Sequence, residues 1–179
     1  PLLRDNKVWM GCTIHSGDRE FGVPDEYPLE AAGCRIDENG KKYIRVKGVR
    51  WYTNIDHGRR HNPLSLMSMA DNIKYSKHKD IQGKKYQHYD NYDAIEIPYT
   101  DAIPCDYENL MGVPVTFLDK YCPEQFDIIW QACGNTRASA PKEILDEVGY
   151  TIHPEDRGGC GVVNNKRQYA RILIRKKHL

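Results

Sequence analysis

Hydrophobic positions come in short runs broken by Gly, Pro and polar clusters, and most runs carry the β-branched and aromatic residues that suit a pleated, half-buried surface. Val8-Trp9-Met10, within the stretch 6–11, predicts a buried strand that ends at Gly11. From there to Pro28 the pattern is interrupted by Gly17, Gly22, Pro24 and Pro28 and reads as loop. Two alternating runs, 34–37 and 43–46, flank Glu38-Asn39-Gly40-Lys41. Asn-Gly between alternating runs predicts a hairpin with both turn residues at positive φ. That hairpin feeds a strand over 49–55, on which Trp51 and Tyr52 alternate, so at least one of them is expected in the core.

Beyond Pro63, Leu64, Leu66, Met67 and Met69 form a small apolar patch, and 72–85 carries five lysines with little to bury, a surface loop. Strands are predicted over 94–98 and 126–130, and a strand or the lead into one over 111–118, with a turn at 103–109 and a connector at 119–125. Pro141 opens and Gly149 stops a short helix over 141–148. Gly158-Gly159-Cys160-Gly161 lacks the spacing and the following helix of a phosphate-cradling loop and reads as a turn. Val162-Val163, an Asn164-Asn165 turn and 169–175 predict a final hairpin. Several hairpins with few helices make the chain a strand-rich α+β body.

Composition bounds what such a body does. The 179 residues suffice for one good core or two small ones, and 40% hydrophobic with 28% charged residues is the balance of a soluble globular protein. No apolar run approaches the roughly 20 residues a bilayer requires, so no membrane partner is expected. The chain starts at Pro1 without an initiator Met or a signal-peptide pattern, as a fragment or a processed chain would. Six cysteines at irregular spacing, with no Cys-x-x-Cys, argue against a zinc ribbon or finger and predict reduced, mostly buried thiols in a cytoplasmic protein.

The net charge of +1 conceals segregation. From Arg35 to His88 there are 13 basic against 5 acidic residues, and from Tyr89 to Asp127 only 1 against 9. The last sixteen residues carry 6 basic and no acidic ones. Local fields, not the sum, decide affinity for phosphates, so a polyanion partner fits; alternatively the basic and acidic segments face each other in the fold.

The basic cluster closing the 49–63 stretch carries the most chemistry: His57, Arg59, Arg60 and His61, followed by Asn62 and Pro63. A strand delivering such a loop can present it to phosphates, base edges or a small acidic ligand, or leave it a solvated turn. Asn135, Thr136 and Arg137 are of the types that read adenine and guanine edges, and equally of those that build turns. Tyr86, Tyr89 and Tyr92 can stack on bases or pack at a domain edge.

Taken in order, 6–11, 49–61, 89–95, 111–121, 123–129 and 169–175 resemble the EcoRI-type adenine-specific DNA methyltransferases of bacterial restriction-modification systems. The resemblance implies methyl transfer from S-adenosylmethionine to the exocyclic amine of a flipped adenine in double-stranded DNA. That chemistry relies on a glycine-containing cofactor loop after a first strand and on an Asp/Asn-Pro-Pro-aromatic loop. Here ten prolines include no adjacent pair, and the one Gly-x-Gly, Gly159 and Gly161, lies near the C-terminus. By resemblance the chain is therefore the C-terminal part of such an enzyme, catalytically inactive alone, with cofactor-binding residues outside it and its own N-terminal catalytic domain as a partner. Residues 1–61 would be the last strands of a Rossmann-like methyltransferase sheet and 62–179 the target-recognition region. The DNA contacts would fall on His57, Arg59, Arg60, His61, Asn62, Asn135, Thr136 and Arg137. A sheet edge left open by the other half would favour self-association.

Two other classes compete. A restriction-type nuclease needs Pro-Asp followed by Asp/Glu-x-Lys to hold magnesium; Pro24-Asp25 is present, but Asp5-Asn6-Lys7 precedes it. A metal-stabilised or protein-interaction module would draw on seven scattered histidines, but Gly58 between His57 and His61 disfavours the helix that would pair them.

Overall fold

The core forms where the longest apolar runs meet. The computed structural model describes residues 2–11, 19–28, 33–46 and 50–177. In chain order the described strands are β1 (Trp9–Met10), β2 (Arg19–Val23), β3 (Cys34–Ile36), β4 (Lys42–Val46), β5 (Tyr52–Thr53), β6 (Ala94–Glu96), β7 (Leu110–Pro114), β8 (Phe126–Ala132), β9 (Val162–Val163), β10 (Lys166–Arg167) and β11 (Arg171–Lys176). The described α-helices are α1 (Met69–Tyr75) and α2 (Lys142–Glu147). This is the strand-rich mixed α/β body read from the pattern.

A four-stranded sheet of order β6-β7-β11-β8 organises it, with β6 parallel to β7 and β11 antiparallel to both its neighbours. Ile172, Leu173 and Ile174 are all buried, as expected of a central strand covered on both faces. One face carries Ile95, Met111, Val113, Ile128, Ile172 and Ile174 under Phe117 and Tyr121. The other carries Ala94, Leu110, Ile129 and Leu173 under Tyr89, Tyr92, Val148 and Val163.

Four expectations are corrected. The final hairpin closes between β9 and β10, with Asn164 and Asn165 at φ 50° and 58°, and β11 leaves it to insert between β7 and β8. The 111–118 run is a strand only to Pro114, which has no N–H to continue the ladder; Val115–Lys120 is a 3-10 turn that buries Phe117. The lysine stretch begins inside α1, whose start is capped by the Ser68 hydroxyl accepting from the Asp71 N–H at 3.0 Å, and the stretch buries Asn72 and Ile81. Within the expected loop up to Pro28, Arg19–Val23 is a strand paired with β4.

The 34–46 hairpin forms as β3 and β4, but only Gly40 of its two turn residues has positive φ, at 79°. The Asp37 carboxylate accepts from the Asn39 and Lys41 N–H groups, both at 2.9 Å, and holds the turn instead. Of the expected 49–55 strand, Val49 lies outside the described residues and only Tyr52–Thr53 pairs, with β1. Neither Trp51 nor Tyr52 is core: they are 54% and 47% exposed, whereas the partner strand buries Trp9 and Met10. Tyr89 and Tyr92 are buried, and Tyr86 donates to the Ala102 carbonyl at 2.7 Å, so the tyrosines pack. The α2 helix follows Pro141 and stops before Gly149, at φ 59°, as read.

Candidate nucleic-acid interface

After β5 the chain turns through Gly58–His61 as one 3-10 turn. Arg60 is buried there: its guanidinium lies 3.6 Å over the Trp9 ring, donates to Asp56 at 3.0 Å and also donates to Asn6. His57 donates to the Met10 carbonyl at 3.1 Å. His61 sits between two carboxylates, 2.9 Å from Asp56 and 2.8 Å from Glu124. Asp56, then Glu124, raise its pKa above the ordinary value, and His61, then Arg60, hold Asp56 below its own. Three of the four basic residues therefore fasten the turn to β1 and to the approach to β8. Arg59 is exposed, and its side chain makes no ion pair or hydrogen bond among the described residues.

Arg59 and Asn62 line an open cleft of about 280 Å³ together with Leu64, Thr100, Asp119 and Lys120. Its wall at 62–66 is held from behind by the Gln125 amide, which accepts from the Leu64 N–H at 2.7 Å and donates to the Leu64 carbonyl at 2.9 Å. The cleft is mixed in charge: the cations Arg59 and Lys120 share it with the carboxylates Asp101 and Asp119 and with the Ser65 and Thr100 hydroxyls. Lys120 and Gln125 are absent from the sequence-derived set. Lys120 lies in the acidic half and arrives only because the 3-10 turn after β7 brings it round, which no local pattern announces.

Asn135, Thr136 and Arg137 are placed elsewhere. Asn135 has φ 67°, and its N–H reaches the Arg157 carbonyl at 3.3 Å. The Thr136 hydroxyl donates to the Cys133 carbonyl at 2.7 Å. Arg137 donates to the Tyr150 hydroxyl at 3.0 Å and lies 3.8 Å from the buried Asp156. All three act within a turn docked on 156–160, and Thr136 lines a different cleft from Arg59 and Asn62.

The Gly158–Gly161 loop is filled from within. A Cβ at Gly159 would stand 2.9 Å from the Cys133 carbonyl, and one at Gly161 2.4 Å from the Tyr89 ring. It is a packing turn and does not fit a cofactor cradle. Pro24-Asp25 lies in the turn after β2, and the Asp5 carboxylate pairs with Arg4 at 3.1 Å. Among the described residues no group of three or more His, Cys, Asp or Glu is placed to hold a metal, no helix is long and apolar enough to cross a membrane, and the five cysteines are free thiols, with Cys122 and Cys160 buried.

The model of the family described as adenine-specific methyltransferase EcoRI matches residues 1–177. The chain belongs to the EcoRI adenine-specific methyltransferase family. It is 37% identical over 178 residues to the Type II methyltransferase M.EcoRI of Escherichia coli, covering 99% of this chain and 45% of that protein. It is 32% identical to the Type II methyltransferase M.MgeORF184P of Mycoplasma genitalium, over 99% of this chain and 52% of the relative. With M.MpnI of Mycoplasma pneumoniae the identity is 26%, over 98% and 51%. The chain thus spans about half the length of the curated relatives it matches. No solved structure matches it. In this EcoRI-family chain the Arg60 guanidinium joins two of the stretches on which the resemblance rests, 6–11 and 49–61, and two others, 111–121 and 169–175, pair as β7 and β11.

Proposed function

We propose that this chain is the DNA-recognition part of a site-specific adenine-N6 methyltransferase of a restriction-modification system, a cytoplasmic enzyme whose methyl donor is S-adenosylmethionine. The methyl donor supplies the transferable group when bound to the parent enzyme. The residues here supply no cofactor loop and no Asp/Asn-Pro-Pro-aromatic loop, so the chain alone binds duplex without methylating it. On this reading residues 1–61 close a Rossmann-like sheet whose other strands belong to the catalytic half, and 62–179 read the target.

The observation that carries the proposal is family membership over 1–177 joined to a turn in which Arg60 and His61 are locked while Arg59 stays exposed beside Lys120. Arg59, Lys120 and Asn62 take the phosphates and His57, Arg60 and His61 hold them in register; phosphate contacts of this kind position a protein on duplex. Asn135, Thr136 and Arg137 contribute by shaping a second, separate surface. The test is to give the chain a labelled mixed-sequence duplex at low salt, together with radiolabelled S-adenosylmethionine. Duplex binding without methyl incorporation is the expected result. Absence of binding by the folded chain overturns the recognition role, and incorporation overturns its dependence on a catalytic half.

A further inference from the structure

The strands β2, β4 and β3 form a three-stranded antiparallel meander whose register sorts side chains onto two chemically different faces. Phe21 opposes Ile44 and Ile44 opposes Cys34; Val23 and Ile36 share the row of Lys42; Val46 opposes Arg19. Directly opposed residues point the same way, so Phe21, Val23, Cys34, Ile36, Ile44 and Val46 stand on one face, with Arg19 and Lys42 at its two ends. Glu20, Tyr43, Arg45 and Arg35 stand on the other.

The polar face is internally satisfied. Arg35 grips Glu20 through two hydrogen bonds, at 2.9 and 2.7 Å, and lies 4.5 Å over the Tyr43 ring. Among the described residues the apolar face is left uncovered: Phe21, Ile36 and Val46 are 46%, 59% and 42% exposed, and Val23, Cys34 and Ile44 are only half-buried. A sheet with one largely apolar face keeps one side for water and one for a core, and a contiguous exposed apolar patch, here between the Arg19 and Lys42 rows, marks an interaction surface. A small meander without a covered face is also marginal by itself.

The relatives supply the occupant. Each carries about as much chain again as this one matches, and this chain is matched almost completely. Resting on the function proposed above, we infer that the apolar face of β2-β4-β3 is the docking face for the S-adenosylmethionine-binding half of the enzyme. That half meets it with an apolar surface and leaves the Arg35–Glu20 face to solvent.

The test co-expresses the chain with the cofactor-binding half of the same methyltransferase as a separate polypeptide and follows sedimentation and site-resolved maleimide labelling. The unsubstituted complex gives the first readout: Cys34 becomes protected while Cys133 labels at an unchanged rate. Phe21→Asp combined with Ile36→Asp is expected to weaken the complex by about tenfold or more, as loss of central apolar anchors does. Glu20→Ala with Arg35→Ala, on the opposite face, leaves it intact. Equal labelling of Cys34 in the complex, or an unaffected Asp variant, overturns the inference. A dimer of this chain that the Asp variant dissolves assigns the face to a second copy and overturns it too. Duplex binding by the chain, run in parallel, separates the two levels: binding retained with no role for this face rejects the docking site alone, and binding lost together with the complex rejects the proposed function.

Discussion

Arg59 and Arg60 are neighbours in sequence and opposites in environment. Arg60 carries a ring contact with Trp9 and hydrogen bonds to Asp56 and Asn6 in a buried site, so Arg60→Ala is expected to cost roughly 2–3 kcal/mol, measured by urea unfolding. Arg59→Ala removes no ion pair or side-chain hydrogen bond among the described residues and is expected to stay within about 0.5 kcal/mol. His61 adds a pH dependence. Its folded pKa is raised above the ordinary 6.5 by Asp56 and Glu124, so the bridge is fully present below the unfolded value and is lost as pH rises through the raised one. Asp56, held low, stays ionised throughout that window and does not offset the loss. The urea midpoint should therefore fall as pH rises from below 6.5 through the raised His61 value in the native chain, and fall less in His61→Gln. A midpoint that rises with pH over this range would contradict the assignment.

Between elements, the strongest polar tie joins β6 to β11 across β7. Arg171 donates to Glu96 at 2.6 and 2.9 Å, the Tyr89 hydroxyl also donates to Glu96, and all three are largely buried. Burial first, then the Glu96 charge, pushes the Tyr89 pKa well above its ordinary range, which keeps the hydroxyl a donor. Glu96→Ala leaves the Arg171 cation buried without its partner and is expected to cost about 3–5 kcal/mol, whereas Glu96→Leu combined with Arg171→Met costs less than either single removal. Denaturation midpoints of the four proteins decide this. Room for the tie comes from Gly112 on the intervening strand, where a Cβ would stand 2.2 Å from the Tyr89 oxygen. Gly112→Ala is expected to cost about 1–3 kcal/mol, seen in the same assay, by pushing that ring away.

What was legible follows from these ties. Strands β6 and β8 and helix α2 were read because their signals are local: apolar runs, an opening Pro141, a stopping Gly149. The place of β11 was not, since an adjacent turn at Asn164-Asn165 suggested a near partner while the buried run 172–174 needed two distant ones. Helix α1 was hidden because it straddles the end of the apolar patch and the start of the lysine-rich stretch, although Ser68 and Asp71 carry its start signal. At the site, the 57–62 cluster was legible as a basic turn. Which of its arginines is buried depends on Trp9, far away in sequence, and so could not be read.

At the scale of the molecule, the opposed charge blocks meet only in part. His61 pairs with Glu124, and Lys77 and His78 pair with Asp101, while Arg59 remains beside Lys120 over an open cleft. Asp101 and Asp119 line the same cleft, and on the proposed recognition role the exposed Arg59 is the side chain there that meets an external phosphate. The most direct measurement is duplex affinity across a salt series for the native chain, Arg59→Ala and Arg60→Ala. Salt-sensitive binding is expected, with a log–log slope that falls by about 0.9 when the Arg59 phosphate contact is lost. Arg60→Ala should weaken binding only as far as it loosens the turn. Binding that is absent, or whose slope is indifferent to Arg59, would contradict the recognition role.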